Sequence, residues 1–252
     1  MGPGWRMGIV MIVCAGAAPA HAWQSDARFN VEFETGAVWQ SRNEIQIPDS
    51  ADGTRFDLRR LQGSGPEAHR RVELTWNPAH RHSLRFVYAP LALSGSGSLE
   101  SPVRFAGSTF APGTATDSDY RFNSYRLTYR YLAYESDRWR LRVGATAFVR
   151  DAKVELRQPG VTASDSNVGF VPLLSANAEY SIAPGWTALV DFDGLVAPQG
   201  RALDVAAKIR YDVSDRWYLT AGYRVFEGGV DNSERFAFGW YNFAVVSLGV
   251  RF

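Results

Sequence analysis

From Trp139 to Arg150 the chain changes character at every residue. Trp139, Leu141, Val143, Ala145, Ala147 and Val149 hold one phase; Arg140, Arg142, Gly144, Thr146, Phe148 and Arg150 hold the other. Successive side chains of a strand point to opposite faces, so this is a two-sided strand with one apolar face. The pattern recurs from Phe29 to Gln40, from Leu203 to Asp212, from Trp217 to Val225 and from Ala244 to Phe252. It predicts ten strands near residues 28–41, 67–77, 82–93, 120–134, 138–151, 168–181, 185–195, 202–212, 216–227 and 240–252. Most exceed the usual strand of about 5–6 residues. They match the 9–11 tilted residues of a bilayer crossing. Helical periodicity is nearly absent, and no internal domain boundary is visible.

The connections alternate in length. Asn77–Arg81, Ser136-Asp137, Ala183–Gly185 and Ser214-Asp215 are short turns of turn-forming residues. Arg42–Pro66, Ser94–Asp119, Ala152–Asn167 and Gly228–Gly239 are longer joins, with Val196–Arg201 the shortest of that set. Short turns at one end and long loops at the other are what a transmembrane barrel shows. Aromatic residues keep the same register. Trp76, Trp139, Tyr180, Trp186, Tyr211 and Trp217 lie beside the short turns on the apolar phase. This predicts an interfacial girdle. Trp39, Tyr88, Tyr223 and Trp240 are candidates for the opposite ring.

The amino-terminal residues have another pattern. MGPGWRM is followed by the apolar run GIVMIVCAGAAPA and by Ala20-His21-Ala22. These are the regions and cleavage site of a secretory signal peptide, and the run is too short for a membrane-spanning helix. Residues 1–22 are therefore expected to be removed, leaving 23–252 as one barrel domain; an uncleaved anchor is the alternative. The single cysteine, Cys14, falls inside that segment, and Val13 before it does not suit a lipid-attachment site. The mature chain then has no disulfide framework or thiolate metal site. Net charge +1 gives no strong nucleic-acid footprint.

A sheet in lipid must satisfy every backbone donor and acceptor, so it must close. The polar phase then lines a lumen. It carries Glu32, Glu34, Glu73, Glu179, Asp191, Asp193 and Asp204 against Arg71, Arg85, Arg126, Arg130, Arg140, Arg142, Lys208, Arg210 and Arg224. Barrels of eight to ten strands are narrow enough for side chains to fill. The balance predicts a salt-linked, largely plugged lumen; a narrow polar pore is the rival. The fold class is thus all-β, a closed antiparallel transmembrane barrel of about ten strands, with eight or twelve as alternatives.

With these features the chain resembles a small bacterial outer-membrane β-barrel protein over residues 23–252. The closing SLGVRF carries the most specific part of the likeness. Val246, Leu248, Val250 and Phe252 match the alternating apolar positions and terminal aromatic of the last strand in that superfamily. The resemblance implies that barrel assembly machinery and periplasmic chaperones handle the chain. It also implies a bacterial outer membrane, lipids and lipopolysaccharide as surroundings, and both termini in the periplasm. VWQSRNEIQIP, YAPLALSGSG, APQGRALD and YRVFEGGVDN resemble an uncharacterised family of exported barrels and bring no activity with them.

Candidate chemistry is sparse. Asp191 and Asp193 share one strand face and, with His69, are the catalytic candidates; barrel proteases of similar outline use paired acids with a histidine. The bland alternative pairs the two aspartates with Lys208 and Arg210 on the next strand. His80 and His82 flank a turn without a third metal ligand, and Ser83 points away from its neighbour His82. Asp49, Asp52 and Gly53, and the run Gly228–Asn232, lack the ligand spacing of a calcium loop. Ser94–Ser98 reads as flexible loop, and Pro90 and Pro172 as bulges or strand ends. No metal or cofactor is expected. The expected protein is a non-enzymatic, monomeric envelope-structural or surface-binding barrel. A hydrolase acting on lipid or peptide at the outer rim is the alternative; a soluble lipocalin-like carrier is a third reading.

Overall fold

The computed structural model describes residues 27–198 and 200–252. The expected export segment, 1–22, lies outside the described residues. In chain order the elements are β1 (Phe29–Gln46), β2 (Phe56–Asp57), α1 (Arg59–Gln62), β3 (Glu67–Ala79), β4 (His82–Ser98), β5 (Val103–Phe105) and β6 (Ser108–Phe110). There follow β7 (Ala115–Glu135), β8 (Trp139–Gln158), β9 (Val161–Ala183), β10 (Trp186–Ala197), β11 (Gly200–Asp212), β12 (Trp217–Asn232) and β13 (Arg235–Arg251). Ten of these, β1, β3, β4 and β7 to β13, form one antiparallel ring, closed by β13 against β1. At that seam Phe29 and Phe252 exchange backbone hydrogen bonds of 3.3 and 2.9 Å. Closure removes both free edges. No helix among the described residues is long and apolar enough to cross a membrane.

The two phases separate as the alternation requires. Phe33, Leu74, Val143, Val190, Val246 and Leu248 are exposed on the outside, while Arg126, Asp204 and Arg224 are buried. The girdle residues are also exposed or half-exposed and meet across strands. Trp139 pairs with Tyr180 and Trp186 with Tyr211, each at 4.7 Å between ring centres. Phe29 stacks on Trp76 at 6.4 Å. Trp39, Tyr223 and Trp240 are exposed toward the other end, and Tyr88 stacks on Tyr125 at 5.1 Å.

The strands run further toward the long-loop end than their apolar phase suggests. Ala152–Asn167 and Gly228–Gly239, expected as loops, are mostly strand closed by tight turns. There the outward phase becomes charged: Arg121 bonds Asp151 at 3.1 Å, and Lys153 and Arg157 both hold Glu155. Those hydrogen bonds, Lys153's first, keep the Glu155 carboxyl below the ordinary carboxylate range. A wall that leaves lipid no longer needs an apolar face, although its ladder continues. Ser94–Ser98 likewise belongs to β4 rather than to a flexible loop. A Cβ on Gly95 would lie 2.5 Å from the α1 backbone, so the glycines there admit the short helix.

Neither proline breaks its strand. Pro90 pairs with Asn123 and Pro172 with Ala147, in unbroken register. Each lies just past the end of the ladder on its other side. Pairing of β4 with β3 begins at Tyr88, and pairing of β9 with β10 stops at Leu174. A missing donor is tolerated at such a free margin. The first margin is covered by α1, whose Gln62 donates to Ser118 Oγ at 2.9 Å. Leu58 and Leu61 join Ile45, Phe105, Phe110 and Leu156 in a buried cluster that caps this end. The second margin follows from the short β10–β11 hairpin, which turns back between Ala197 and Gly200 while β9 continues to Val161.

Candidate functional site

The ionic lumen is built from cross-strand neighbours that repel one another. Asp193 lies directly opposite Asp204, and Glu32 opposite Glu73. Adjacent like charges destabilise a ladder. Cations arriving from the far wall relieve this. Arg85 Nη2 donates to Asp193 at 2.8 Å, although β7, β8 and β9 lie between their strands. Arg126 Nη1 crosses the lumen to Asp204 at 2.6 Å, and Arg224 reaches the same carboxylate at 2.9 Å. Arg224 also meets Glu34 at 3.3 Å, where Lys208 and His69 converge. Arg130 binds Asp191 at 2.7 Å. Burial of each charge is thus matched by partners, the condition for tolerating it.

Nearer the short turns, Arg142 and Arg210 share Glu179 at 2.8 and 3.4 Å, and Arg140 bonds Glu135 at 2.6 Å. Arg71 and Arg85 flank Glu73 at 3.5 and 3.7 Å. Lys208 and the Tyr218 hydroxyl donate to Glu32 at 3.2 and 3.1 Å. The Tyr218 ring covers Gly249, where a Cβ would lie 2.0 Å from it. A polar vestibule of about 450 Å³ opens on this side.

Toward the long-loop end the inward phase changes chemistry, contrary to a lumen charged throughout. Phe122, Phe148, Phe226, Tyr241 and Phe243 are inward and mutually packed. The Arg126 guanidinium lies 4.8 Å over Phe148 and 5.6 Å over Phe226, joining the two layers. Beyond them lies an apolar chamber of about 390 Å³.

The structure brings all the predicted lumen charges together, with different partners for two of them. Asp191 and Asp193 pair with Arg85, Arg126 and Arg130 rather than with the bases of the next strand. Register explains the difference: Lys208 lies opposite Leu189 and Arg210 opposite Thr187. His69 bonds Glu34 at 3.1 Å and meets Phe243 edge-on at 4.7 Å, so its contacts are not with the aspartate pair. His80 faces Glu135 at 3.2 Å, whereas His82 bonds the Tyr129 hydroxyl at 2.8 Å; the two do not share a partner. Asp49 lies 3.7 Å from Arg55, and the Gly228–Asn232 run forms the end of β12. Asp212, Tyr218 and Thr146 are further members of the ionic layer. Thr146 donates to Asp193 at 3.0 Å and Arg251 to Asp212 at 2.5 Å. Their inward phase was the available signal.

Against solved structures, the chain is similar to the outer membrane protease OmpT of Escherichia coli, with a TM-score of 0.53 and 10% identity over 93% of this chain and 99% of that one. It also matches the attachment invasion locus protein Ail of Yersinia pestis (TM-score 0.39, 9% identity, 89% and 99% covered). Neisserial surface protein A matches at a TM-score of 0.34 and 11% identity, with 90% and 98% covered. No protein-family model matches the chain. No curated protein matches it either. The fold is that of the bacterial outer-membrane β-barrels.

Proposed function

We propose that this chain is a monomeric, non-enzymatic outer-membrane barrel whose lumen is closed to ions, serving the envelope as a structural or ligand-binding wall protein. In this reading residues 1–22 direct export and the SLGVRF strand engages the assembly machinery. The short turns and both termini face the periplasm, and the capped end faces outward among lipopolysaccharide. The observation that carries the reading is the pair of chords Arg85–Asp193 and Arg126–Asp204, which cross the lumen at its middle, with Arg224–Glu34 bridging β12 to β1 beside them. An open water path would have to break several buried pairs, and separating one costs about 3–5 kcal/mol.

A hydrolase at the outer rim is the second reading, favoured only by a fold shared with a barrel protease. The arginines on Asp191 and Asp193 leave neither carboxylate disposed to act as a base. Planar-bilayer recording of the purified protein tests the first reading. The expected record is free of steady conductance steps above the bare bilayer. Reproducible steps altered by Asp193→Ala would replace the closed wall with a pore.

A further inference from the structure

The apolar chamber is not sealed on its side. Phe122, Phe148, Val171, Leu195, Phe226 and Tyr241 wall it from within. Phe170 and Arg201, of the outward phase, line the same cavity. A continuous sheet separates its two phases, so here the chamber passes through the wall. The opening coincides with the free margin of β9 above the β10–β11 hairpin. Its lower sill is the Leu174–Gly194 pair, and its upper clasp is the Arg235–Asp165 ion pair at 3.2 Å.

The rim of this window is unusually apolar. Val168, Phe170, Leu174 and Val196 are 69%, 65%, 62% and 70% exposed. Phe170 stands ten positions from the girdle residue Tyr180 on the same strand. A span of about 9–11 tilted strand residues crosses the hydrocarbon core, so the window opens at the level of the far leaflet. Apolar side chains so exposed are at home against acyl chains and costly in water.

One charge at this window lacks a counter-charge. Arg150 lines the chamber beside Gly169, whose missing Cβ leaves room for its guanidinium: a Cβ there would lie 2.9 Å from Nε. Its hydrogen bond runs to the neutral Asn167 Oδ1 at 2.8 Å. The carboxylate lining the chamber, Asp165, is engaged by Arg235. Among the described residues Arg150 is the one partly buried base with no carboxylate within ion-pair distance. A half-buried cation beside an apolar cavity of ligand size asks for an anion carrying an apolar body.

We propose that the chamber binds a single-chain alkyl carboxylate, a fatty acid, admitted from the membrane through the β9–β10 window, with its chain against Phe148 and Phe226 and its carboxylate on Arg150. The inference rests on the membrane reading above. The full barrel, reconstituted in lipid nanodiscs, is photolabelled with a twelve-carbon carboxylate bearing a terminal diazirine, and the labelled residues are mapped by mass spectrometry. Label is expected on the inward aromatic layer, displaced by dodecanoate about tenfold more effectively than by dodecanol, the difference a charge-assisted hydrogen bond supplies. Arg150→Gln should remove that preference while retaining dodecanol displacement. Ala202→Phe, which fills the chamber, should remove inward labelling altogether. Label confined to outward residues, or equal displacement by acid and alcohol in the unaltered protein, overturns the assignment. Co-purification of a two-chain lipid in the chamber, read by native mass spectrometry, overturns it in favour of a resident lipid. Failure of the membrane reading shows separately, as protein that does not insert into the nanodisc.

Discussion

The two halves of the lumen are made by the same strands and the same inward phase, yet they close the barrel differently. On β8 that phase reads Arg140, Arg142, Gly144, Thr146 and then Phe148, Ala152, Val154, with Arg150 as the lone charge among the latter; on β12 it reads Tyr218, Thr220, Gly222, Arg224 and then Phe226. The ionic half reaches across the lumen, because a long guanidinium can meet a carboxylate on a distant strand. The aromatic half also spans the barrel, with Phe122 of β7 lying 5.5 Å from Phe226 of β12 and 6.3 Å from its neighbour Phe148, but rings meet by shape alone and leave a chamber beyond them. Charge therefore serves as a directed cross-brace, and the aromatic rings as an undirected layer that leaves space beside it. The brace has a further consequence. Asp193 and Asp204 are adjacent on paired strands; Arg224 of the next strand holds Asp204, and Arg85 and Arg126 from the opposite wall supply the remaining cations. The ionic half thus favours the closed ring over an open sheet.

The largest effect should come from Asp204→Ala. It leaves Arg126 and Arg224 without their shared acceptor and Arg71 without its 3.8 Å neighbour. Breaking a buried pair on one side costs about 3–5 kcal/mol. Urea unfolding in lipid vesicles, followed by tryptophan fluorescence, should show a loss of that size. Replacement at no measurable cost would mean that water already serves those guanidinium groups and that the brace is not structural.

Phe226→Ala is the matched test in the apolar half. The ring is buried but borders a chamber, so truncation enlarges an existing space instead of opening a new one in a packed core. The loss should approach the transfer contribution alone, about 2 kcal/mol, without a full cavity penalty. A loss equal to that of Asp204→Ala would erase the contrast and show a tightly filled upper lumen. The chamber would then be too small for the ligand assigned to it.

How much of this was legible follows from the physics of each feature. The period of two identified the strands and the face of Asp204, Arg126 and Phe148, since side-chain direction is local. The outward aromatic pairs were readable because Trp139 and Trp186 sit beside turns on the apolar phase. Strand ends were not readable: once Arg121, Lys153, Glu155 and Arg157 take the outward face, the apolar signal stops although the ladder does not. Cross-lumen partners were hidden as well. Whether Asp193 meets Lys208 or Arg85 depends on register and closure, which no segment carries by itself. The window was the least visible feature. It arises from unequal hairpin lengths, and only Pro172 marked it, as a strand end on one side and a continuing strand on the other.

Arg121→Ala should have the smallest effect and tests where the brace ends. Arg121 and Asp151 form an ion pair of the same chemistry as the lumen chords, at 3.1 Å, but on the outward face of the wall extension, with Arg121 half-exposed. Water solvates both partners when they separate, so an exposed pair contributes about 0–1 kcal/mol. The same urea titration should place this variant within about 1 kcal/mol of the unaltered protein. Moderate salt should shrink the difference, since exposed charges are screened and buried ones much less so. A loss comparable to Asp204→Ala would mean that the extended wall is braced from outside too. In that case burial, rather than chord geometry, would no longer distinguish the two sets of ion pairs.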